Sequence, residues 1–242
     1  MNLKTFNSSD SETLLKSEIS SFEDVHDNGK TYRQGTLKAG QLHGLLREFD
    51  KEGVCRLISH FEDGLLNGLT QIFDAMGYPV HECHYKDGIA DGDMKVFARG
   101  KCVLKQAYVA GLASGMCTAY DAAGLVSTKL TYSDGEIEGP ASFFVEGRVV
   151  RESFYKKGLL DGVSIDYDRD GKVVQESIYL KNVIHGQLIR YWPDGKVMEV
   201  YNYKEGVPFG VPQRFDQKGK ELDSEQSDSS ILSRLETMVR GK

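Results

Sequence analysis

One spacing limits what this chain can become. Residues 61–77 read FEDGLLNGLTQIFDAMG: an aromatic, two residues, a glycine, three residues, a second glycine, four residues, an aromatic, three residues and a third glycine. The frame returns as YKDGIADGDMKVFARG from Tyr85, YVAGLASGMCTAYDAAG from Tyr108 and YSDGEIEGPASFFVEG from Tyr132. It continues as YKKGLLDGVSIDYDRDG from Tyr155, YLKNVIHGQLIRYWPDG from Tyr179 and YKEGVPFGVPQRFDQKG from Tyr203. A weaker copy, LKAGQLHGLLREFDKEG from Leu37, brings the number to eight. Self-similarity at a fixed period of this size is the mark of a repeat architecture.

The first glycines fall at Gly40, Gly64, Gly88, Gly111, Gly135 and Gly158, then Asn182, then Gly206, in steps of 24 or 23 residues. Asn is the one replacement, and it is the residue other than glycine that best tolerates the left-handed backbone region. The slot therefore calls for positive φ. Both 23-residue steps have a local cause, since Phe97-Ala98-Arg99-Gly100 and Phe144-Val145-Glu146-Gly147 bring the third glycine one residue early. A turn loses a residue there while the strands keep their length. The repeat is thus two β-strands joined alternately by two kinds of glycine turn. Eight of them predict an all-β fold, an elongated single-layer antiparallel β-meander over residues 30–219. Sixteen strands at about 4.8 Å give a body on the order of 75 Å long.

Alternation along each strand puts the first aromatics, Phe61, Tyr85, Tyr108, Tyr132, Tyr155, Tyr179 and Tyr203, on the face of the residues two and four before them. If the two glycines of a hairpin lie opposite each other, the second aromatic becomes a diagonal neighbour on that same face. The rings would then form one ladder along the sheet. Glu82, Lys105, Lys129, Glu152 and Glu176, six residues before the turn positions, belong to the opposite face, where charge meets solvent and contributes little stability.

The formal charge of −6 sits mostly outside the repeats. Residues 1–29 carry two basic and six acidic groups and residues 220–242 four and five, so the repeats themselves are near neutral. No strong field recruits nucleic acid or an anionic membrane. No apolar run reaches the roughly 18 residues of a spanning helix, and MNLKTFNSSDSETLLKSEIS lacks the basic and apolar regions of a secretory signal. Cys55 and Cys102 occupy equivalent positions two repeats apart, on the order of 19 Å by strand spacing, beyond disulfide reach. There is no C-x-x-C pair. Reduced cysteines and a cytoplasmic location are expected.

Both ends read as caps. In residues 1–29, Leu14, Leu15, Ile19 and Phe22 stand at near-helical spacing. Residues 220–242 open as an acidic linker, and Ile231, Leu232, Leu235, Met238 and Val239 then mark one face of an amphipathic helix. Short helical caps covering the ends of an open sheet follow from this reading.

Chemistry is sparse. His81-Glu82-Cys83-His84 is the densest cluster of ligand-capable groups, but a strand sends alternate residues to opposite faces, so at most two could share a metal. His43 and His185 share one repeat slot with Asn67, Asp91, Ser114, Glu138, Asp161 and Phe209, which describes a polar turn position. No nucleophile elbow, P-loop or H-E-x-x-H is present, and no helix pattern follows the glycines as phosphate binding requires. No catalysis, cofactor or metal is expected. Trp192, in Tyr191-Trp192-Pro193-Asp194-Gly195, fits either an interface anchor or a shield over its turn.

Segments such as YKKGLLDG and YLKNVIHG, with Tyr191-Trp192-Pro193-Asp194-Gly195 after the second, resemble the MORN repeat, specifically its variant class in bacterial proteins. The resemblance covers about four-fifths of the chain. It implies a twisted antiparallel β-meander that binds other proteins; many bacterial members are described as the antitoxin or immunity partner of a toxin, and eukaryotic relatives act as scaffolds and have been linked to membrane lipids. The Gly-x-Gly element of the classical repeat is missing here, as in the variant class. Where the variant commonly carries Lys after the first glycine, this chain has Gln41, Leu65, Ile89, Leu112, Glu136, Leu159, Val183 and Val207. That apolar row either faces a partner or folds back onto its own hairpins.

The expected protein is a non-catalytic binding protein, most specifically one that neutralises a cognate toxin or effector by covering it, with Leu65, Ile89, Leu112, Leu159, Val183 and Trp192 as contact residues. A scaffold in a cellular assembly and a membrane-lipid adaptor are the alternatives. The partner is a protein rather than nucleic acid or an integral membrane. Oligomeric state is not readable.

Overall fold

The computed structural model describes residues 19–222, and the chain divides after Gly124 into two compact units. All strands and turns described are β architecture, with no helix among the described residues. The first unit runs β1 (Ile19–Val25), β2 (Thr31–Lys38), β3 (Gln41–Leu42), β4 (Gly44–Phe49), β5 (Cys55–Glu62), β6 (Leu65–Leu66), β7 (Gly68–Phe73), β8 (Pro79–Lys86), β9 (Ile89–Ala98), β10 (Lys101–Val109) and β11 (Leu112–Tyr120). The second runs β12 (Val126–Ser133), β13 (Glu136–Val145), β14 (Arg148–Lys156), β15 (Leu159–Tyr167), β16 (Val173–Leu180), β17 (Val183–Tyr191), β18 (Val197–Lys204) and β19 (Val207–Arg214). Within each unit the chain is an antiparallel meander, every hairpin pairing with its sequence neighbours.

The turn glycines behave as their spacing predicts, with one addition. Gly111 and Gly158 have φ of 84° and 74°, and Asn182 has 69°. The residue before each is also left-handed, Ala110 at 49°, Lys157 at 51° and Lys181 at 52°. Two consecutive positive φ values make a type I′ turn, whose twist matches that of the flanking strands. At the other end of the repeat an aspartate opens a longer turn. Asp74 Oδ1 accepts the N–H groups of Met76 and Tyr78, both at 2.9 Å, while the Gly77 N–H donates to the Asp74 carbonyl. Asp168 does the same for Asp170 and Lys172. In the two copies with the early glycine, Arg99-Gly100 and Glu146-Gly147 replace this longer turn by a two-residue one with both φ positive. The missing residue is accounted for.

The second glycine does something else. Gly162 has φ 126° and stands where pairing between β14 and β15 shifts register, between Ser153 and Tyr155. Across the following strand it opposes the first aromatic of the next copy: Gly68 pairs with Tyr85, Gly92 with Tyr108, Gly162 with Tyr179 and Gly186 with Tyr203. The two glycines of a hairpin therefore do not face each other, and the single aromatic ladder is not formed. Tyr155 shares a face with Ser153 and Ser164, whereas Tyr167 lies on the other face with Ile165 and Glu152. Each aromatic column has a face of its own.

The most buried line is built mostly of small side chains, joined by Leu46 and Gln106. Ser59, Cys83, Ala141, Ser153, Ser164 and Ser177 are all below a tenth exposed. They pair directly across strands, Thr70 with Cys83, Ala141 with Ser153 and Ser164 with Ser177. The hydroxyls of Ser153 and Ser164 satisfy each other at 2.8 Å, as buried polar groups must.

One cap expectation is corrected. Ile19 and Phe22, taken as part of a helical N-terminal cap, belong to strand β1, paired with β2 from Ile19 opposite Lys38 to Val25 opposite Thr31. Phe22 lies over Gly35, its ring 3.1 Å from where a Cβ on that glycine would stand. At the far end the Phe215–Glu221 bridge closes the last longer turn, Asp216–Gly219. The amphipathic stretch 231–239 lies outside the described residues.

Candidate functional site

The apolar row sits on the hairpin tips. Leu65, Ile89 and Leu112 in the first unit are 51, 51 and 49 % exposed. In the second, Leu159 and Val183 are 37 and 42 % exposed, and Val207 more so. Three of them lie against the turn of the next copy: a Cβ on Gly88 would come within 3.7 Å of Leu65 Cδ2, one on Gly111 within 3.0 Å of Ile89 Cγ2, and one on Gly206 within 3.2 Å of Val183 Cγ1.

A hydrogen-bond clasp holds successive tips in this arrangement. The turn N–H donates to a carbonyl of the previous hairpin, Gly64 to Leu42, Gly88 to Leu66, Gly111 to Ala90, Gly158 to Ile137, Asn182 to Leu160 and Gly206 to Ile184, at 2.8–2.9 Å. Asn182 adds a return bond, its Oδ1 accepting the Leu160 N–H at 2.7 Å. The polar slot before the second glycine reinforces the clasp. Asp91 accepts the Ala110 N–H and Glu138 the Lys157 N–H, at 3.1 and 2.8 Å. His43 and His185 stand in the same relation to Asp63 and Glu205, at 3.4 Å. These histidines brace turns.

The position just before the first aromatic carries a signal that spacing alone did not single out. It overlies the second glycine and bonds the carbonyl of the residue beyond it, or in the first copy before it. Thr36 bonds the His43 carbonyl, His60 that of Leu69 at 3.1 Å, His84 that of Asp93 at 3.2 Å and Thr131 that of Pro140 at 3.1 Å. In two copies of the second unit the slot holds Phe154 and Ile178, which have no group to make such a bond. Phe154 is 46 % exposed, Ile178 40 % and Val163, opposite Ile178, 47 %. With Leu159, Leu180 and Val183 they leave an open apolar surface on the tip half of this face. The change from Thr or His to Phe and Ile at one repeat position was visible in the sequence.

The other half of the face is occupied by its own side chains. The charged column expected to be merely solvated instead engages the second aromatics. Lys105 Nζ lies 5.6 Å from the Tyr120 ring centre and Lys129 Nζ 5.7 Å from that of Phe144. The Tyr167 hydroxyl donates to Glu152 at 2.7 Å. That bond, beside a carboxylate charge, pushes the phenol up to about 12; Tyr191, partly buried beside Glu176, is raised as well. The reverse face of the second unit carries a linked row of charged and polar side chains. Arg151 pairs with Asp166, Gln175 reaches Asp166, Arg190 reaches Gln175 and Glu199, and Arg214 stands 3.6 Å from Glu199. Leu57, Ile72, His81 and Val96 fill the corresponding line in the first unit.

Trp192 is half-buried, and its indole N–H donates to the Phe215 carbonyl at 3.1 Å, as His26 meets Phe49 at the first turn. It spans two successive turns. The His81–His84 cluster is divided between the faces of β8, and among the described residues no three metal-capable side chains converge. The four cysteines are free thiols, and burial pushes Cys83 and Cys117 above the usual thiol range.

Within the stretch from β15 to β18 the chain has a family match. Residues 160–181 and 184–205 match the MORN repeat variant. MORN-variant repeats thus form part of the array, and such repeats are binding modules. Comparison with curated proteins finds no match. Among solved structures, a mutant of S. aureus TarM in complex with fondaparinux, alpha-GlcNAc-glycerol and UDP is 15 % identical over 39 % of this chain and 19 % of that one, with a TM-score of 0.30. A second TarM structure gives 15 % identity, 40 % and 19 % coverage and the same TM-score. The chain spans about a fifth of TarM, and at that score the likeness carries no argument.

Proposed function

We propose that this chain is a non-catalytic protein-binding repeat protein that neutralises a cognate toxin or effector by direct contact through its hairpin tips. The observation that carries it is the exposed apolar row, Leu65, Ile89 and Leu112 in one unit and Leu159 and Val183 in the other, on tips already fixed by backbone bonds. Changing such side chains leaves the fold's hydrogen bonding intact, and exposed apolar patches on folded proteins mark contact sites. The bacterial variant class of the repeat, with its antitoxin and immunity members, supplies the finer reading. A scaffold role in a cellular assembly rests on the same surface.

The test has two stages. Affinity capture with the wild type and with Leu112→Asp/Leu159→Asp identifies proteins lost from the double variant while circular dichroism stays unchanged. Each is then expressed alone and with this chain. Growth arrest relieved by co-expression supports neutralisation. A partner that is harmless alone supports the scaffold role, and capture unaffected by the double variant refutes the tip surface.

A further inference from the structure

Beyond the row, the second unit carries the features of a more specific site, and this inference rests on the protein-binding reading. Phe154 and Ile178 are exposed at positions where the fold has a polar solution available, since Thr36, His60, His84 and Thr131 bond a carbonyl from the same slot, and Val163 is exposed opposite Ile178. Phe154 and Ile178 forgo that bond. Both side chains reach over the second glycine, Phe154 Cδ1 to 3.8 Å from where a Cβ on Gly162 would stand and Ile178 Cδ1 to 3.3 Å from one on Gly186. A residue choice that exposes apolar area and forgoes a local bond, twice in succession, points to a use outside the fold.

The tips that carry it are rich in lysine, while the tip before them, from Tyr132 to Gly139, is acidic through Asp134, Glu136 and Glu138. The tips from Tyr155, Tyr179 and Tyr203 to the following glycines carry Lys156, Lys157, Lys181 and Lys204 against Asp161 and Glu205. None of these lysines is in an ion pair among the described residues, where ten such pairs occur elsewhere. The tips from Phe61, Tyr85 and Tyr108 carry the reverse balance, Glu62, Asp63, Asp87 and Asp91 against Lys86. We infer that the strip of Phe154, Leu159, Val163, Ile178 and Val183 with its lysine rim docks a protein segment that presents apolar side chains interleaved with carboxylates. Apolar contact at the centre supplies affinity, and the rim selects the acidic partner and speeds its approach.

The probes are three synthetic peptides of alternating Leu and Val with Glu, Ser or Lys at every other position, titrated by fluorescence anisotropy. The Glu series should bind at least about tenfold more tightly than the Lys series at low salt, and the gap should narrow in 0.5 M NaCl as screening takes effect. Phe154→Thr/Ile178→Thr restores the residue type that the slot holds at Thr36 and Thr131. It should keep or raise the melting temperature while weakening the Glu peptide about tenfold or more. Lys156→Ser/Lys181→Ser should weaken the Glu series alone. A Met76→Asp variant, at an exposed longer turn of the other unit, should leave peptide affinity unchanged. Absence of binding by all three series, equal binding of Glu and Lys series, or undiminished binding by the folded Thr variant would overturn the inference. Failure of growth rescue with these peptide results intact would reject only toxin neutralisation.

Discussion

Gly158 separates backbone strain from crowding, because its φ is 74° and an added Cβ would meet nothing within 4 Å. Gly158→Ala therefore costs only the left-handed conformation of an L-residue, about 1 kcal/mol. Gly158→Val adds the stiffness of a β-branched side chain and should cost about 2 kcal/mol. Gly158→Asn places an amide where Asn182 accepts the Leu160 N–H at 2.7 Å, so one gained bond of about 0.5–1 kcal/mol offsets the remaining strain. Gly111→Ala has the same backbone cost, but its Cβ would lie 3.0 Å from Ile89 Cγ2. Ile89 is half exposed and can shift, so the excess over Gly158→Ala should be only about 0.5 kcal/mol. Thermal melting followed by circular dichroism reads these as losses of a few degrees per kcal/mol. The order wild type, Asn, Ala, Val is expected at position 158. If the Val variant melts with the wild type, or Asn falls level with Ala, the account of the clasped turn is wrong.

The buried Ser153–Ser164 pair gives a double-mutant cycle: either single change to Ala strands a hydroxyl and should cost about 1–2 kcal/mol, while the double change should cost less than the two added together; additive urea-melting losses would refute the pairing. Tyr167 should be the last tyrosine to ionise. In an absorbance titration, Tyr167→Phe removes a step near pH 12, and Glu152→Gln moves that step down. Because its folded pKa is raised, the group's contribution to stability is present below its ordinary pKa of about 10 and is lost as pH rises through the folded value, so the loss of stability in that alkaline window should be smaller for Tyr167→Phe than for the wild type.

The two-strand repeat, its positive-φ tips and the two shortened turns were legible because each is a local demand that glycine spacing records directly. Which face each aromatic column occupies was not. That depends on register across the bulge at Gly162, where Tyr155 pairs with Leu160 but Ser153 with Ser164, and no spacing along one strand reveals a slip between two. Phe22 shows the opposite failure. Its spacing from Leu15 and Ile19 fits a helix, yet Phe22 stands 24 residues before Leu46 and Val25 24 before Phe49. The repeat frame, extended one strand upstream, outranks local periodicity once β2 offers an edge to pair with. The candidate site was half legible. The row after the turn glycine follows from alignment of the copies, whereas the openness of Phe154 and Ile178 requires knowing that their slot holds a hydrogen-bonding side chain in four other copies.

The clasp between tips has a direction. Gly88 donates to Leu66, Gly206 to Ile184, and in every backbone bond of the clasp the donor belongs to the later hairpin and the acceptor to the earlier one. A ribosome delivers the chain in that same order, at about 5–20 residues per second. Each tip is thus synthesised after the carbonyl that will receive it, and about one to five seconds separate successive hairpins at a period of 24 residues. Assembly within a unit can therefore proceed as ordered addition to a growing edge, with each docked hairpin displaying the acceptor for the next.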